Sequence, residues 1–198
     1  MKFIGSFFSS LKYDLNQIDD QGRSLLHHCC EHHDISCIKL IYENDLFNKQ
    51  LLNLQDHEGF SALHLACLNG QTKLVKYLCE QGADTQLVDN ELHSIIHWIT
   101  GRSKKKVNQN KLFFFFPFFY VVCGHVDLFD LVMKYATSIH TADANGVYPI
   151  HYASQQNIEI LKKLIEYKAD VNCLDQQKRT PFIWASSAGE IKQRRINK

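Results

Sequence analysis

Gly59-Phe60-Ser61-Ala62-Leu63-His64 is one of four near-copies of a single short frame. The others read Gly22-Arg23-Ser24-Leu25-Leu26-His27, Leu92-His93-Ser94-Ile95-Ile96-His97 and Gly146-Val147-Tyr148-Pro149-Ile150-His151. A fifth copy, Lys178-Arg179-Thr180-Pro181-Phe182-Ile183, keeps a threonine and a proline but has no histidine. The frame histidines His27, His64, His97 and His151 are 37, 33 and 54 residues apart, and 54 is 33 plus 21. Self-similarity at a period in the thirties marks a stacked repeat array, one of whose periods carries 21 extra residues.

The frame has a physical reading. Ser24, Ser61, Ser94 and Thr180 can each cap a helix by accepting a backbone N–H. Pro149 and Pro181 follow at the first helical position, where a missing N–H does no harm. A short apolar helix, a small turn and a second apolar helix are expected after each cap, clearest in Leu63 to Gly70 followed by Leu74 to Leu78. The second helix recurs as Ile38 to Ile41, Leu128 to Val132 and Ile160 to Ile165. The connector returns as Gly82-Ala83-Asp84 and Lys168-Ala169-Asp170, with turn-forming Asp and Asn and a glycine suited to a left-handed helix stop.

At these residues the chain resembles the ankyrin repeat family, whose pattern D-x-x-G-x-T-P-L-H-x-A-A-x-x-G is followed closely from Asp56 to Asp89. The resemblance implies an all-α solenoid of helix-turn-helix units with short β-turn fingers. It divides the chain into a partial repeat at 1–19, repeats at 20–55, 56–88, 89–142 and 143–174, and a truncated repeat with a basic tail at 175–198. Departures include Leu25 in place of proline, Leu92 in place of glycine, and a fourth unit one residue short near Asn157. Both ends look cut from a longer array.

Within the third repeat, residues 101–121 join a basic, Asn-rich stretch to a run holding six phenylalanines. Those rings could present on the order of 1,000 Å² of apolar surface, more than a folded monomer usually exposes. Removing the segment joins Thr100 to Val122 and leaves a complete repeat. The hypothesis drawn here is that 101–121 is translated intron sequence, because a Phe-rich run ending in Tyr-Val can encode a pyrimidine tract and acceptor. If translated, it is expected to form a disordered, aggregation-prone loop. A membrane span is disfavoured, since the apolar run from Leu112 to Cys123 is shorter than the ~20 residues a helix needs and contains Pro117.

A net charge of +1 gives no general attraction to nucleic acid or to an anionic membrane. Seven cysteines, an odd number without a secreted framework spacing, favour a reducing, cytoplasmic setting. Met1 to Ser10 makes a poor signal peptide because its apolar run is short and interrupted. His27-His28-Cys29-Cys30-Glu31-His32-His33 has zinc-binding residue types, but Cys29 and Cys30 occupy the inward alanine positions of the frame and His27 is its structural histidine, so no metal is assigned. The frame histidines recur at equivalent positions, whereas a catalytic constellation needs different groups converging on one point. They are expected to bond to backbone or to the capping hydroxyl.

The resemblance therefore implies a non-catalytic module, without cofactor, that binds another protein; the alternative is the ankyrin region of a larger enzyme or channel. Candidate groove residues on the first helices are His28, Glu31, His32, Leu65, Leu68, Asn69, Trp98, Tyr152, Gln155, Trp184 and Ser187. Finger-tip candidates include Phe60 and His93, with Val147 and Arg179 among the others. Trp98, Tyr152 and Trp184 recur at one register, equally suited to anchoring a partner and to packing on neighbouring helices. Sequencing of the mature transcript is expected to show Thr100 joined directly to Val122, and a message retaining the 21 codons would overturn the intron reading.

Overall fold

The computed structural model describes residues 16–31, 35–42, 49–100, 126–135 and 138–187. Segment 101–121, the tail beyond 187, the partial repeat up to residue 15, and His32 lie outside them. The described residues form helical hairpins. The first unit holds α1 (Leu25–Glu31) and α2 (Ile35–Tyr42), the second α3 (Ala62–Leu68) and α4 (Thr72–Glu80). The third holds α5 (Ile95–Thr100) and α6 (Val126–Met133), and the fourth α7 (Pro149–Gln156) and α8 (Ile158–Glu166). A last helix, α9, covers 181–187.

The first helices pack in sequence, α1 on α3, α3 on α5 and α5 on α7, while α4, α6 and α8 form a second layer. The core runs between the layers through Leu26, Ile38, Leu63, Leu74, Leu78, Ile96, Leu128, Phe129, Ile150, Ile160 and Leu164, all with almost no exposure. No hairpin of seven to nine residues per helix could enclose such a core alone, so each unit depends on its neighbours. This all-α, repeat-built solenoid is the architecture that the frame spacing implies.

Local signals act where the sequence puts them. Ser61 accepts the His64 N–H at 3.4 Å, and Pro149 and Pro181 open their helices. The shortened fourth unit is closed by Asn157, which ends α7 and caps α8 by accepting the N–H groups of Glu159 and Ile160 at 3.0 and 3.1 Å. Helix α4 stops in a left-handed turn at Gly82, with the Ala83 N–H bonded to the Leu78 carbonyl, and α8 makes the same turn with Lys168 at φ 67°. The four extra residues of the first period are taken up near a 3-10 turn, Lys49–Asn53, which buries Leu51 and Leu52.

Between units the chain makes fingers, the first three of which are each closed by a single antiparallel bridge: Ile18 with Ser24, Gln55 with Ser61, and Val88 with Ser94. The fingers are tied tip to tip by main-chain bonds, His57 N–H to Gln21 O, Asn90 N–H to Glu58 O, Ala144 N–H to Glu91 O and Gln176 N–H to Asn145 O, at 2.9 to 3.2 Å. At the far side of the fourth unit the second layer lies open. Ile165 and Val171 are 47% and 46% exposed, whereas their counterparts in the second unit, Cys79 and Thr85, are 7% exposed.

Each finger turns through a left-handed residue three positions after its aspartate. At Gly59 (φ 83°) a β-carbon would stand 2.5 Å from the Asn90 amide nitrogen, so both dihedral and space demand glycine. Leu92 occupies the same position at φ 62° and is half-exposed. Left-handed backbone costs a non-glycine residue about 1–2 kcal/mol, part of which glycine's looser unfolded chain offsets. Leu92→Gly is therefore expected to raise stability by up to about 1 kcal/mol, and Gly59→Ala to lower it by more than about 2, in urea titrations. A destabilised Leu92→Gly chain would refute this account of the finger.

Candidate functional site

Each frame histidine is completely buried, and His27, His97 and His151 each join two units. The backbone N–H at the cap donates to the Nδ1 atom three residues on: Ser24 to His27 at 3.1 Å, Ser61 to His64 at 3.2 Å, Ser94 to His97 at 3.1 Å and Tyr148 to His151 at 3.2 Å. An acceptor nitrogen carries no proton, so these rings are neutral with the hydrogen on Nε2. That N–H reaches the finger of the following unit. His27 donates to the Phe60 carbonyl at 3.0 Å, His97 to Val147 at 3.1 Å and His151 to Arg179 at 3.0 Å. Each of those carbonyls also accepts from the aspartate N–H of its own finger, which fills both lone pairs. The expected bonding to backbone and capping hydroxyl is what the geometry shows, with Ser24, Ser61 and Ser94 Oγ at 2.9 to 3.0 Å from Nδ1.

His64 differs, because its Nε2 has no partner at hydrogen-bonding distance. The equivalent acceptor, the His93 carbonyl, is near enough to favour the proton electrostatically but not to complete a bond. Side-chain amides hold that joint instead: Gln55 donates to Val88 O at 2.7 Å and Asn90 to His57 O at 2.8 Å.

A second recurring device is one that the sequence reading passed over. Asp19, Asp56, Asp89, Asp143 and Asp175 each stand eight residues before the terminal residue of a frame copy. Their Oδ1 atoms organise the finger by accepting backbone N–H groups, as Asp56 does from Glu58 and Phe60 and Asp143 does from Asn145 and Val147, at 2.8 to 3.0 Å. The constant offset was the available signal. The other oxygen serves the groove: Asp19 meets His28 Nε2 at 3.0 Å, and Asp89, Asp143 and Asp175 accept from Trp98 Nε1, Tyr152 Oη and Trp184 Nε1 at 3.2, 2.6 and 2.9 Å.

Trp98, Tyr152 and Trp184 thus have one polar end anchored and their rings packed edge-on. Trp98 lies 5.2 Å from Phe60 and 5.6 Å from His93, Tyr152 lies 5.5 Å from Trp184, and the Arg179 guanidinium sits 5.0 Å over the Trp184 ring. All three rings remain half-buried, so they pack on their neighbours and stay partly open to solvent. His28, Glu31, Leu68, Asn69 and Gln155 are likewise half-buried along this row, and Ser187 is exposed.

Three candidates are corrected. Leu65 is 3% exposed and belongs to the core rather than to the groove. Phe60, at 9%, is held under Trp98 and beside His64. His93 is fully buried, with Nδ1 3.0 Å from Asp89 and Nε2 3.1 Å from Asp143, and so bridges the third finger to the fourth. Arg23 makes the corresponding crossing to Asp56 at 3.4 Å and also pairs with Glu31 at 2.6 Å. Val147, named with the finger tips, is buried as well. These side chains are spent on holding units together.

Burial would raise the Asp143 carboxyl, but hydrogen bonds from His93, Tyr152 and the Val147 and Asn145 amides hold it well below the usual carboxylate range. Asp89 is lowered in the same way by His93. Burial pushes His64 and His97 down to about 4, and lowers His27 too. Of the suggested zinc cluster, His27, Cys29 and Cys30 lie in the core, His28 and Glu31 point to the finger side, and His32 and His33 are outside the described residues. Among the described residues no three His, Cys, Asp or Glu side chains converge on a point that could hold a metal ion. No described helix is long and apolar enough to cross a membrane.

These rings set an acid limit on the fold. Between pH 6.5 and about 4 the unfolded chain takes up protons that His64 and His97 refuse when folded, so stability is complete above 6.5 and falls as pH drops. The expected loss at pH 5 is on the order of 2 kcal/mol per ring, while Asp89 and Asp143 are still ionised. Denaturation midpoints at pH 7.5 and pH 5 measure it, and equal values would contradict the buried neutral rings.

Comparison with known sequences agrees with this geometry. A family profile described as "Ankyrin repeats (3 copies)" matches residues 4–89 and 118–194. The chain is 24% identical over 173 residues to Palmitoyltransferase AKR1 of Lachancea kluyveri, covering 84% of this chain and 20% of that protein. It is 24% identical over 172 residues to the B-cell lymphoma 3 protein homolog of Mus musculus, covering 86% and 34%. It is 25% identical over 194 residues to Ankyrin repeat protein nuc-2 of Neurospora crassa, covering 96% and 16%. The chain spans about a sixth to a third of the length of these curated relatives. Four stacked helical hairpins with a buried histidine in each, together with the profile match over most of the sequence, establish that the chain belongs to the ankyrin repeat family, whose arrays are protein-interaction modules.

Proposed function

We propose that this chain is a non-catalytic protein-binding array working inside the cell as the ankyrin part of a larger scaffold or adaptor. The observation that carries the reading is the row of half-buried side chains from α1 to α9, His28, Leu68, Asn69, Trp98, Tyr152, Gln155 and Trp184, three of whose rings have their polar end anchored on a finger aspartate. Such a surface offers fixed aromatic edges and adaptable amides, the combination that suits a protein partner. Of the buried histidines, which could have served as general bases, His27, His97 and His151 have both ring nitrogens committed to backbone. With a net charge of +1 the partner is expected to be another protein rather than nucleic acid or membrane, and no cofactor is called for.

The open face around Ile165 and Val171 supports a longer array, since the same face in the second unit is covered by α6. The cysteines Cys30, Cys67 and Cys79 are buried thiols rather than bridges, in keeping with a reducing, cytoplasmic setting. A second reading is favoured by one observation. A relative named as a palmitoyltransferase aligns with this chain over a fifth of its own length, so the array could equally serve a larger enzyme. Extension of the reading frame in both directions separates the two.

The surface is tested with Leu68→Glu combined with Ser187→Arg, both on the candidate row and outside the bonds between units. The full chain, used as bait in cell extract, is expected to enrich a defined protein whose recovery falls at least tenfold with the double variant, at a melting temperature within a few degrees. Equal capture by both chains would remove the groove from the proposal.

A further inference from the structure

Cys29 and Cys37 stand at one point of the first hairpin, and their sulfurs are 3.0 Å apart. The equivalent positions of the second unit are Ala66 and Leu74, apolar residues of the core on a first and a second helix. Cysteine at both positions replaces that contact by two sulfurs closer than the roughly 3.5–4.0 Å of non-bonded atoms. A disulfide needs only about 1 Å of further approach, to ~2.05 Å. Two thiolates sharing a tetrahedral zinc at ~2.3 Å each would instead stand roughly 3.7 Å apart, so the spacing suits a bond better than a shared metal.

Exposure gives the pair an order of reaction. Cys37 is half-buried and Cys29 is 4% exposed. Of the other described cysteines, Cys30, Cys67 and Cys79 are buried, and Cys173 is half-buried but has no second cysteine beside it among the described residues; burial pushes the Cys30 and Cys67 thiols far up, and those of Cys79 and Cys173 up to about 11. A thiol held protonated is a poor nucleophile.

We propose that Cys29 and Cys37 form a reversible dithiol site that reacts with low-molecular-weight disulfides such as oxidised glutathione and then bolts α1 to α2. The Cys37 thiolate, its proton lost to water, attacks one sulfur of the oxidant, forming a mixed disulfide and expelling a glutathione thiolate. Cys29, deprotonated in turn, attacks the Cys37 sulfur and expels the second thiolate. Two protein S–H bonds and the oxidant's S–S bond are broken, one protein S–S bond is formed, and both released thiolates take up protons. The protein loses two electrons and the oxidant gains them. The bolt lies one residue from His28 and two from Glu31, so oxidation stiffens the groove at its first unit, and a thiol reductant restores it.

The test exposes the full reduced chain to graded ratios of reduced to oxidised glutathione, traps remaining thiols by alkylation and maps peptides by mass spectrometry. A Cys29–Cys37 link two hydrogens lighter is expected at oxidant levels that leave Cys30, Cys67, Cys79 and Cys173 alkylatable, with a melting temperature several degrees above that of the reduced chain. Cys29→Ser is expected to stall with one glutathione on Cys37. Rapid acid quenching of the unsubstituted chain reads the same intermediate should that variant fold poorly. Continued alkylation of Cys29 and Cys37 when Cys173 has already reacted, or a link between Cys29 and Cys30, would overturn the proposal.

Discussion

The whole array rests on an imidazole held as a two-ended connector. Its Nδ1 must be bare to receive the amide at the start of its own helix, and that requirement places the hydrogen on Nε2, where it meets the next finger. Local capping and inter-unit adhesion are therefore two consequences of one tautomer. Serine or asparagine could cap equally well, but neither would span from a helix start to a neighbouring carbonyl. The ring is also apolar enough in its carbon edge to be buried completely without loss of packing.

The aspartate of each finger complements this connector from the outside. One oxygen shapes the turn, and in Asp19, Asp89, Asp143 and Asp175 the other holds the first side chain of the row in the same unit, so that at these four fingers turn and side-chain placement cannot vary independently. Where an arginine or histidine precedes the cap, as at Arg23 and His93, the next aspartate gains a buried counter-charge. A buried ion pair adds little net stability against an apolar substitute, yet a single missing partner leaves an expensive bare charge. The arrangement consequently favours one register of stacking over slipped alternatives.

The periodic part of this structure was legible from residues alone. Cap, histidine and two apolar stripes repeat with so few exceptions that the fold follows from their spacing, and even the exceptions are informative: Leu92 adopts the left-handed turn that its missing glycine implies, and Asn157 caps two helices at once. The groove was less legible, because a position on the correct face can be filled by a neighbour. Phe60 and His93 sit in the fingers, where exposure is the natural expectation, and both are covered by Trp98 of the third unit. Leu65 lies where other units place His28, Trp98 or Tyr152, but as an apolar side chain without an aspartate to reach it settles inward. Depth depends on what stacks above, and no single frame carries that information.

The tip-to-tip bonds between fingers run from main chain to main chain. Gln21, Glu58, Glu91 and Asn145 contribute only carbonyls to this seam, and His57, Asn90, Ala144 and Gln176 contribute amides. Cohesion along this edge thus comes first from groups that every residue carries, and the Asn90 and Gln176 side-chain amides each add a bond, to His57 O and Ala144 O. Tip positions whose side chains make no such bond can change while the main-chain seam beneath keeps its shape, much as a printed line can change without altering the page that carries it.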